Sequence, residues 1–332
     1  MHSRLVNDLM QDPLLYTGFD SSPDRILFDC GYMFGLSLRE IQRISSVFVS
    51  HTHFDHFMGF DHMLRLSIEQ DRKIEIYGPE GIISQTAGRL SGYSWNLCHD
   101  LALDFEVFEI APPFIRKAVL HASEAFRLGD ISVSEFSGVL KRGNGYAVSV
   151  AVLDHIIPSL AFSIKEDDMF KVNDENLALC GIKPGPWLGR LKDEYAGGCV
   201  ADGYIEGPDG TPVSRPKLAD SLFYLKKGRK VSYIVDTVFN ERTSSDASAL
   251  AFESDELYCE CAFLDEDAEK AGDVHHLTAS QAATIALMSG AKRLYPIHLS
   301  KRYNGRFKEL FCEAWRIFPH VFMSGKGEFI PK

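Results

Sequence analysis

Three histidines and one aspartate fall within six residues, in the run His51-Thr52-His53-Phe54-Asp55-His56. Imidazole and carboxylate are the donors that suit zinc, manganese or iron. On a loop, this spacing lets His51 and His53 point to one ion while Asp55 and His56 point to a second. Four local donors cannot complete two sites, so the others must come from distant parts of the chain. Three residues stand where apolar runs end: His155 after Val148 to Asp154, Asp236 after Val231 to Val235, and His298 after Leu294 to Ile297. Each occupies the C-terminal end of an expected strand, where α/β proteins assemble their sites. Any one alone is more often structural; together with the first run they describe a metal centre. Two divalent ions close together lower the pKa of a shared water toward neutrality, and that chemistry is hydrolysis.

These residues need elements to hold them. Ser46 to Ser50 reads as a β-rich strand feeding directly into the histidine run, and Phe57, Phe60, Leu64 and Ile68 follow at helical spacing. The run therefore lies on a strand-to-helix loop. Arg25 to Asp29 reads as a short strand. Ser37 to Ile44 reads as a helix with Ser37 as its N-cap. Further strands are expected at Lys73 to Tyr77, Asp104 to Ile110, Val119 to Ala122, Ile131 to Phe136, Tyr146 to Leu153, Lys230 to Val235, Leu257 to Phe263 and Arg293 to Ile297. Helices are expected at Glu80 to Leu90, Thr278 to Ser289 and Phe307 to Phe318. The stretch from Asp167 to about Pro216 holds Pro184-Gly185-Pro186, Gly197-Gly198 and Gly207-Pro208. It reads as a loop-rich, arm-like insertion at about 167–216, with a short helix at Asn173 to Cys180, inside one domain spanning 1–332. Two strand-rich halves with outer helices fit an α/β (α+β) fold, a four-layer αββα sandwich.

Composition narrows the classes. The chain has 332 residues, 45% apolar and 24% charged, ordinary for a soluble globular protein. No stretch approaches the roughly 18–20 apolar residues of a membrane span. Arg4, Asn7, Asp8, Gln11 and Asp12 come too early for a signal peptide, so the expected location is the cytoplasm. The seven cysteines include no Cys-x-x-Cys pair, which argues against a disulfide framework or a zinc knuckle. A net charge of −11 lacks the basic footprint usual for nucleic-acid binding. The densest basic run, Lys226-Lys227-Gly228-Arg229-Lys230, reads as a solvated turn.

Taken as a set, these residues resemble the metallo-β-lactamase superfamily and, within it, the ribonuclease Z group. The superfamily's His-x-His-x-Asp-His motif matches residues 51–56. Asp154-His155-Ile156-Ile157-Pro158-Ser159 is similar to its single-histidine motif, Val235-Asp236-Thr237 to its strand-terminal aspartate, and His298-Leu299-Ser300-Lys301-Arg302-Tyr303 to its last ligand motif. His276-Leu277-Thr278 resembles the His-Ser-Thr segment, and Glu260-Cys261-Ala262-Phe263 the His-Glu-Ala-Thr-Phe segment. Gly181 to Leu191, with Lys183-Pro184-Gly185-Pro186, is similar to the Gly-Pro arm that this group uses on transfer RNA. The chain departs from the pattern at Phe54, where a glycine is usual, at Val235 before the aspartate, and at Cys259 in place of a histidine.

The resemblance implies a metallo-β-lactamase sandwich and a phosphodiesterase, a ribonuclease Z-like endonuclease in tRNA processing. His51, His53 and His155 would hold one metal, Asp55, His56 and His298 the other, and Asp236 would bridge them. The ions would be zinc, with manganese or iron as alternatives. Asp55 would also orient the attacking water, and His276 would be the general acid, steered by Glu260. Ser300, Arg302 and Tyr303 would meet substrate phosphate. The partner would be a tRNA precursor, and the protein a homodimer. Two alternatives remain open: hydrolysis of a small ester or phosphodiester without nucleic acid, and metal binding without catalysis.

Overall fold

The computed structural model describes residues 1–136 and 138–331. It falls into two compact units, Met1–Lys165 with Arg229–Lys332, and Glu166–Gly228. The first unit contains an eight-stranded and a six-stranded sheet.

In the eight-stranded sheet, spatial order follows chain order from His2–Leu5 to Ser132–Glu135. Its central strands, Arg25–Phe28, Ile44–Phe48, Arg72–Pro79 and Leu103–Ala111, pair in parallel, and the flanking strands are antiparallel. The six-stranded sheet runs in the order Leu294–Ile297, Glu256–Glu260, Lys230–Ile234, Ile157–Glu166, Tyr146–His155, Val139–Gly143, with the first three parallel.

Side-chain alternation builds the layers. On Ile44–Phe48, Val47 faces outward onto Phe60, Met63 and Leu64 of the helix Phe60–Ser67, while Phe48 faces the other sheet. On Glu256–Glu260, Tyr258 faces inward, and Leu257 and Cys259 join a core with Ala282, Ala286, Leu310 and Phe311 of the outer helices. Between the sheets, the rings of Phe28 and Phe48 meet Phe162 and Tyr233 at centroid distances of 5.5–5.9 Å. The result is helix, sheet, sheet, helix, as expected. The cysteines are free, and Cys259 and Cys261 lie buried in the outer core as small apolar groups.

Several elements depart from the sequence reading. Two strands, His2–Leu5 and Leu15–Gly18, precede Arg25. Ile157–Glu166 is a central strand buried on both faces, so it shows no alternation. The helix Glu241–Leu250 buries Thr243, Ser244, Ala247 and Ser248, a face too polar to register as periodic apolar sequence. The glycine- and proline-rich stretch is more ordered than its composition implies. The unit Glu166–Gly228 has helices at Asp174–Cys180, Pro186–Ala196 and Arg215–Leu222, and two antiparallel strand pairs. It has its own small core around Leu191, Leu218, Leu222 and Phe223. Among the described residues, no helix is long and apolar enough to cross a membrane.

Candidate metal centre

The parallel strands deliver the candidate donors at their C-terminal ends. His51 lies three residues beyond Phe48, which ends its strand, Asp236 two beyond Ile234, and His298 directly after Ile297. His155 and Glu260 close their own strands. The chain must then turn sharply. Asp29, Ile156, Asp236, His275 and His298 all adopt positive φ, from 48° to 65°, a conformation that ordinary residues hold only where the surroundings enforce it. Gly59 is needed for a related reason. A Cβ there would lie 2.2 Å from Gly31 O, and this close approach lets Gly59 N–H donate to Cys30 O while Cys30 N–H donates to His56 O.

Three donor groups result, and one of them, Asp236, Glu260, His276 and His298, shares Asp236 and His298 with the other two. His51, His53, His155 and Asp236 offer ligand atoms within 4.8 Å of one another, as do Asp55, His56 and His298. Asp236 touches both sets: its Oδ2 lies 3.4 Å from His51 Nε2 and 3.3 Å from His56 Nε2, and its Oδ1 lies 3.1 Å from His298 Nδ1. His51 Nε2, His56 Nε2, Asp236 Oδ1 and His298 Nδ1 are buried and make no hydrogen bond. Buried polar atoms are ordinarily satisfied. Four orphaned imidazole and carboxylate atoms facing one another are what a metal centre requires, and the donor set fits divalent ions of the zinc, manganese and iron class.

The outward nitrogens are fixed by partners. His56 Nδ1 donates to Asp29 Oδ2 at 2.7 Å, and His155 Nδ1 donates to the His275 carbonyl at 2.8 Å. Each bond turns Nε2 toward the centre, where it would serve as the ligating nitrogen once a metal displaces any proton on it. Asp29 is itself held by Ser50 N–H, Ser50 Oγ and Tyr233 Oη, the last reaching across from the other sheet. His276 Nδ1 donates to the fully buried Glu260 at 2.7 Å, and Glu260 is anchored by Thr237 N–H.

The charge state follows. Burial, with His56 beside it, lowers His51 to about 2, so its ring is neutral and free to ligate. Burial opposes charge on His56, but Asp236 and Asp29 outweigh it and raise that group to about 10. Burial likewise opposes charge on Asp236, yet His298 and His56 hold it well below the usual carboxylate range. The pocket thus keeps its carboxylates ionised and draws positive charge. Burial would lower His276, and Glu260 overcomes it and raises the group.

A cleft of about 350 Å³ opens onto Asp55, His276 and His298, with Ser300 and Lys301 in its wall. Of the three residues expected to meet substrate, only Ser300 lines it. Tyr303 is buried; its hydroxyl donates to Asp267 and accepts from Leu264 N–H. Arg302 pairs with Asp267 at 2.9 Å and lies over the Phe263 ring. These two hold the loop rather than face the cleft. Sequence reasoning missed Asp29, His275 and Lys301. Asp29 ended an apolar strand and carried no further signal, while His275 acts through its backbone carbonyl.

The Beta-lactamase superfamily domain profile matches residues 24–133. Ribonuclease Z of Deinococcus radiodurans is 29% identical over 316 residues, covering 93% of each chain. Ribonuclease Z of Bacillus mycoides is 30% identical over 311 residues, covering 89% of this chain and 85% of its own. Among solved structures, the metallo-beta-lactamase fold protein YhfI from Bacillus subtilis superposes with a TM-score of 0.57 at 16% identity, covering 98% of this chain and 97% of that one. The short form of human tRNase Z gives 0.53 at 18% identity, covering 99% and 96%. Those two share the fold, whereas the sequence relatives match at 29–30% along nearly the whole length, and on that ground the chain belongs to the ribonuclease Z family of metallo-β-lactamase-fold, metal-dependent hydrolases.

Proposed function

We propose that this hydrolase cleaves tRNA precursors at their 3′ extensions, using two zinc ions. His51, His53 and His155 would hold one ion, Asp55, His56 and His298 the other, with Asp236 between them. The observation that carries the reading is Asp236, which belongs to the His51, His53 and His155 group and lies 3.3 Å from His56 Nε2 and 3.1 Å from His298 Nδ1 of the other, with buried, unsatisfied ligand atoms turned inward. Divalent ions in such a site acidify water and neutralise charge on phosphoryl oxygens.

The chain's own groups divide the remaining work. Asp55 Oδ2 lies 3.6 Å from His56 Nε2 and 3.5 Å from His298 Nε2, which leaves its other oxygen to orient the attacking water and accept its proton. The water oxygen bonds to phosphorus as the bond to the leaving ribose oxygen breaks. That oxygen takes a proton from His276 Nε2, while Glu260 stays on Nδ1 and stabilises the charged ring. Ser300, in the cleft wall, can donate to a phosphate oxygen. Arg302 and Tyr303 position the loop that bears Ser300. The same reading takes 1–332 as one catalytic domain with an arm-like insertion at about 167–216, and the enzyme as a cytoplasmic homodimer.

A second reading, hydrolysis of a small ester or phosphodiester, draws on Phe54, which stands 75% exposed beside Asp55. The deciding experiment is cleavage of a 3′-extended tRNA precursor by zinc- or manganese-loaded protein. Cleavage at the trailer junction is expected, with Asp55→Ala lowering the rate by at least about 10²–10⁴, the usual contribution of a positioned proton-transfer group. Fully metallated protein that leaves the precursor intact but hydrolyses small diesters would favour the second reading.

A further inference from the structure

Next to the catalytic cleft lies another cavity, of about 480 Å³, within the range of roughly 300–1,000 Å³ typical of small-ligand sites. The two adjoin, because Met10, Gln11 and Lys301 line both. Lys326, Asn304 and Phe307 form much of the second cavity's remaining wall. The N-terminal loop on one side is fixed to the segment that carries His298: Leu299, which directly follows it, donates its N–H to Leu9 O at 2.8 Å.

The chemistry of that wall is specific. Lys301 and Lys326 are exposed and, among the described residues, form no ion pair. The neighbouring arginines are committed elsewhere, Arg302 to Asp267 and Arg306 to Glu266 and Glu309. Asp8 also lines the cavity, and its Oδ1 is engaged by Leu9 N–H. The wall therefore carries a surplus of positive charge in a chain whose net charge is −11. Gln11 accepts Asp8 N–H through Oε1, which leaves its amide NH₂ free to donate. Phe307 is half-buried, packed edge-on to Phe311, and presents an aromatic surface to the cavity. Cations for a backbone phosphate, an aromatic ring for a base and amides for its edge are the parts that hold an unpaired nucleotide.

We propose that this cavity is a nucleotide subsite, taking the unpaired nucleotide of the RNA strand adjacent to the scissile phosphodiester. Its phosphate lies by Lys301 and Lys326, and its base lies on Phe307. The proposal rests on the ribonuclease reading above and adds to it where the strand runs on leaving the metal centre.

The test compares wild type with Lys326→Glu, an exposed charge reversal, and Phe307→Ala, both metal-loaded. Each is assayed on a 3′-extended tRNA precursor and on bis(p-nitrophenyl) phosphate, a diester too short to reach both cavities. The ratio of kcat/KM for RNA to that for the small diester should fall about tenfold or more in Lys326→Glu, chiefly through KM, as expected for a lost charge-assisted phosphate contact. The slope of log KM against log salt should weaken by about 0.7, the single-strand value for one phosphate. A variant that is merely misfolded would lose both substrates together and keep the ratio. Should Lys326→Glu fold normally and keep both the ratio and the salt slope, the subsite does not exist. Should wild type hydrolyse the small diester but not the precursor, the ribonuclease reading fails and takes the subsite with it.

Discussion

At the residue scale, the centre depends on groups that never touch a metal. Asp29 accepts four hydrogen bonds, from His56 Nδ1, Ser50 N–H, Ser50 Oγ and Tyr233 Oη. It fixes the tautomer and ring angle of His56 and strengthens Nε2 as a donor. Asp29→Ala should weaken metal binding by about 10–100-fold, measured by competition with a chromogenic chelator. Unchanged affinity in a folded variant would make Asp29 a packing residue only. Tyr233→Phe, which leaves three of the four bonds, should show a smaller loss in the same assay. The donors themselves were legible in the sequence because imidazoles and carboxylates at tight spacing have few other uses. Their supports were not. Asp29 becomes meaningful only when His56 folds back over the Cys30-Gly31 turn, and the carbonyl of His275 leaves no side-chain signature. The Ser300-Lys301-Arg302-Tyr303 segment was found, but Asp267, out of view in one dimension, decides which of its side chains reach the cleft.

At the element scale, the donors are placed by strands that end abruptly and helices that begin under tight control. The helix Glu241–Leu250 follows the Asp236 turn. Asn240 starts it with a capping box, its Oδ1 accepting from Thr243 N–H while Thr243 Oγ1 accepts from Asn240 N–H. Asn240→Ala should lower stability by about 0.5–2 kcal/mol in urea unfolding, a typical cap loss. A change below that range would mean the outer packing alone sets this helix. Alternating strands such as Leu103–Ala111, and helices with apolar stripes such as Phe307–Ile317, follow directly from residue pattern. Ile157–Glu166 follows directly on another strand with only one residue between them, and Glu241–Leu250 presents a serine- and threonine-rich buried face with little apolar signal. Hence Ile157–Glu166 and Glu241–Leu250 emerge only from the fold.

At the scale of the whole molecule, the centre joins the two halves of the sandwich. His51, His53, Asp55 and His56 come from the end of the eight-stranded sheet, and His155, Asp236 and His298 from the six-stranded one. Neither sheet alone supplies both donor groups. A net charge of −11 does not exclude phosphate chemistry, since the exposed lysines Lys301 and Lys326 gather positive charge locally beside the cleft. Asp236 reaches donors from both sheets, His51 at 3.4 Å and His298 at 3.1 Å, and on the two-metal reading occupancy of one site would be tied to the other. The most direct test of this account is precursor cleavage followed while zinc is titrated into chelator-stripped protein. Activity should stay near zero without metal and rise until two equivalents are bound per chain. Full activity at a single equivalent, or cleavage that persists in metal-free protein, would contradict a two-metal centre built on Asp236.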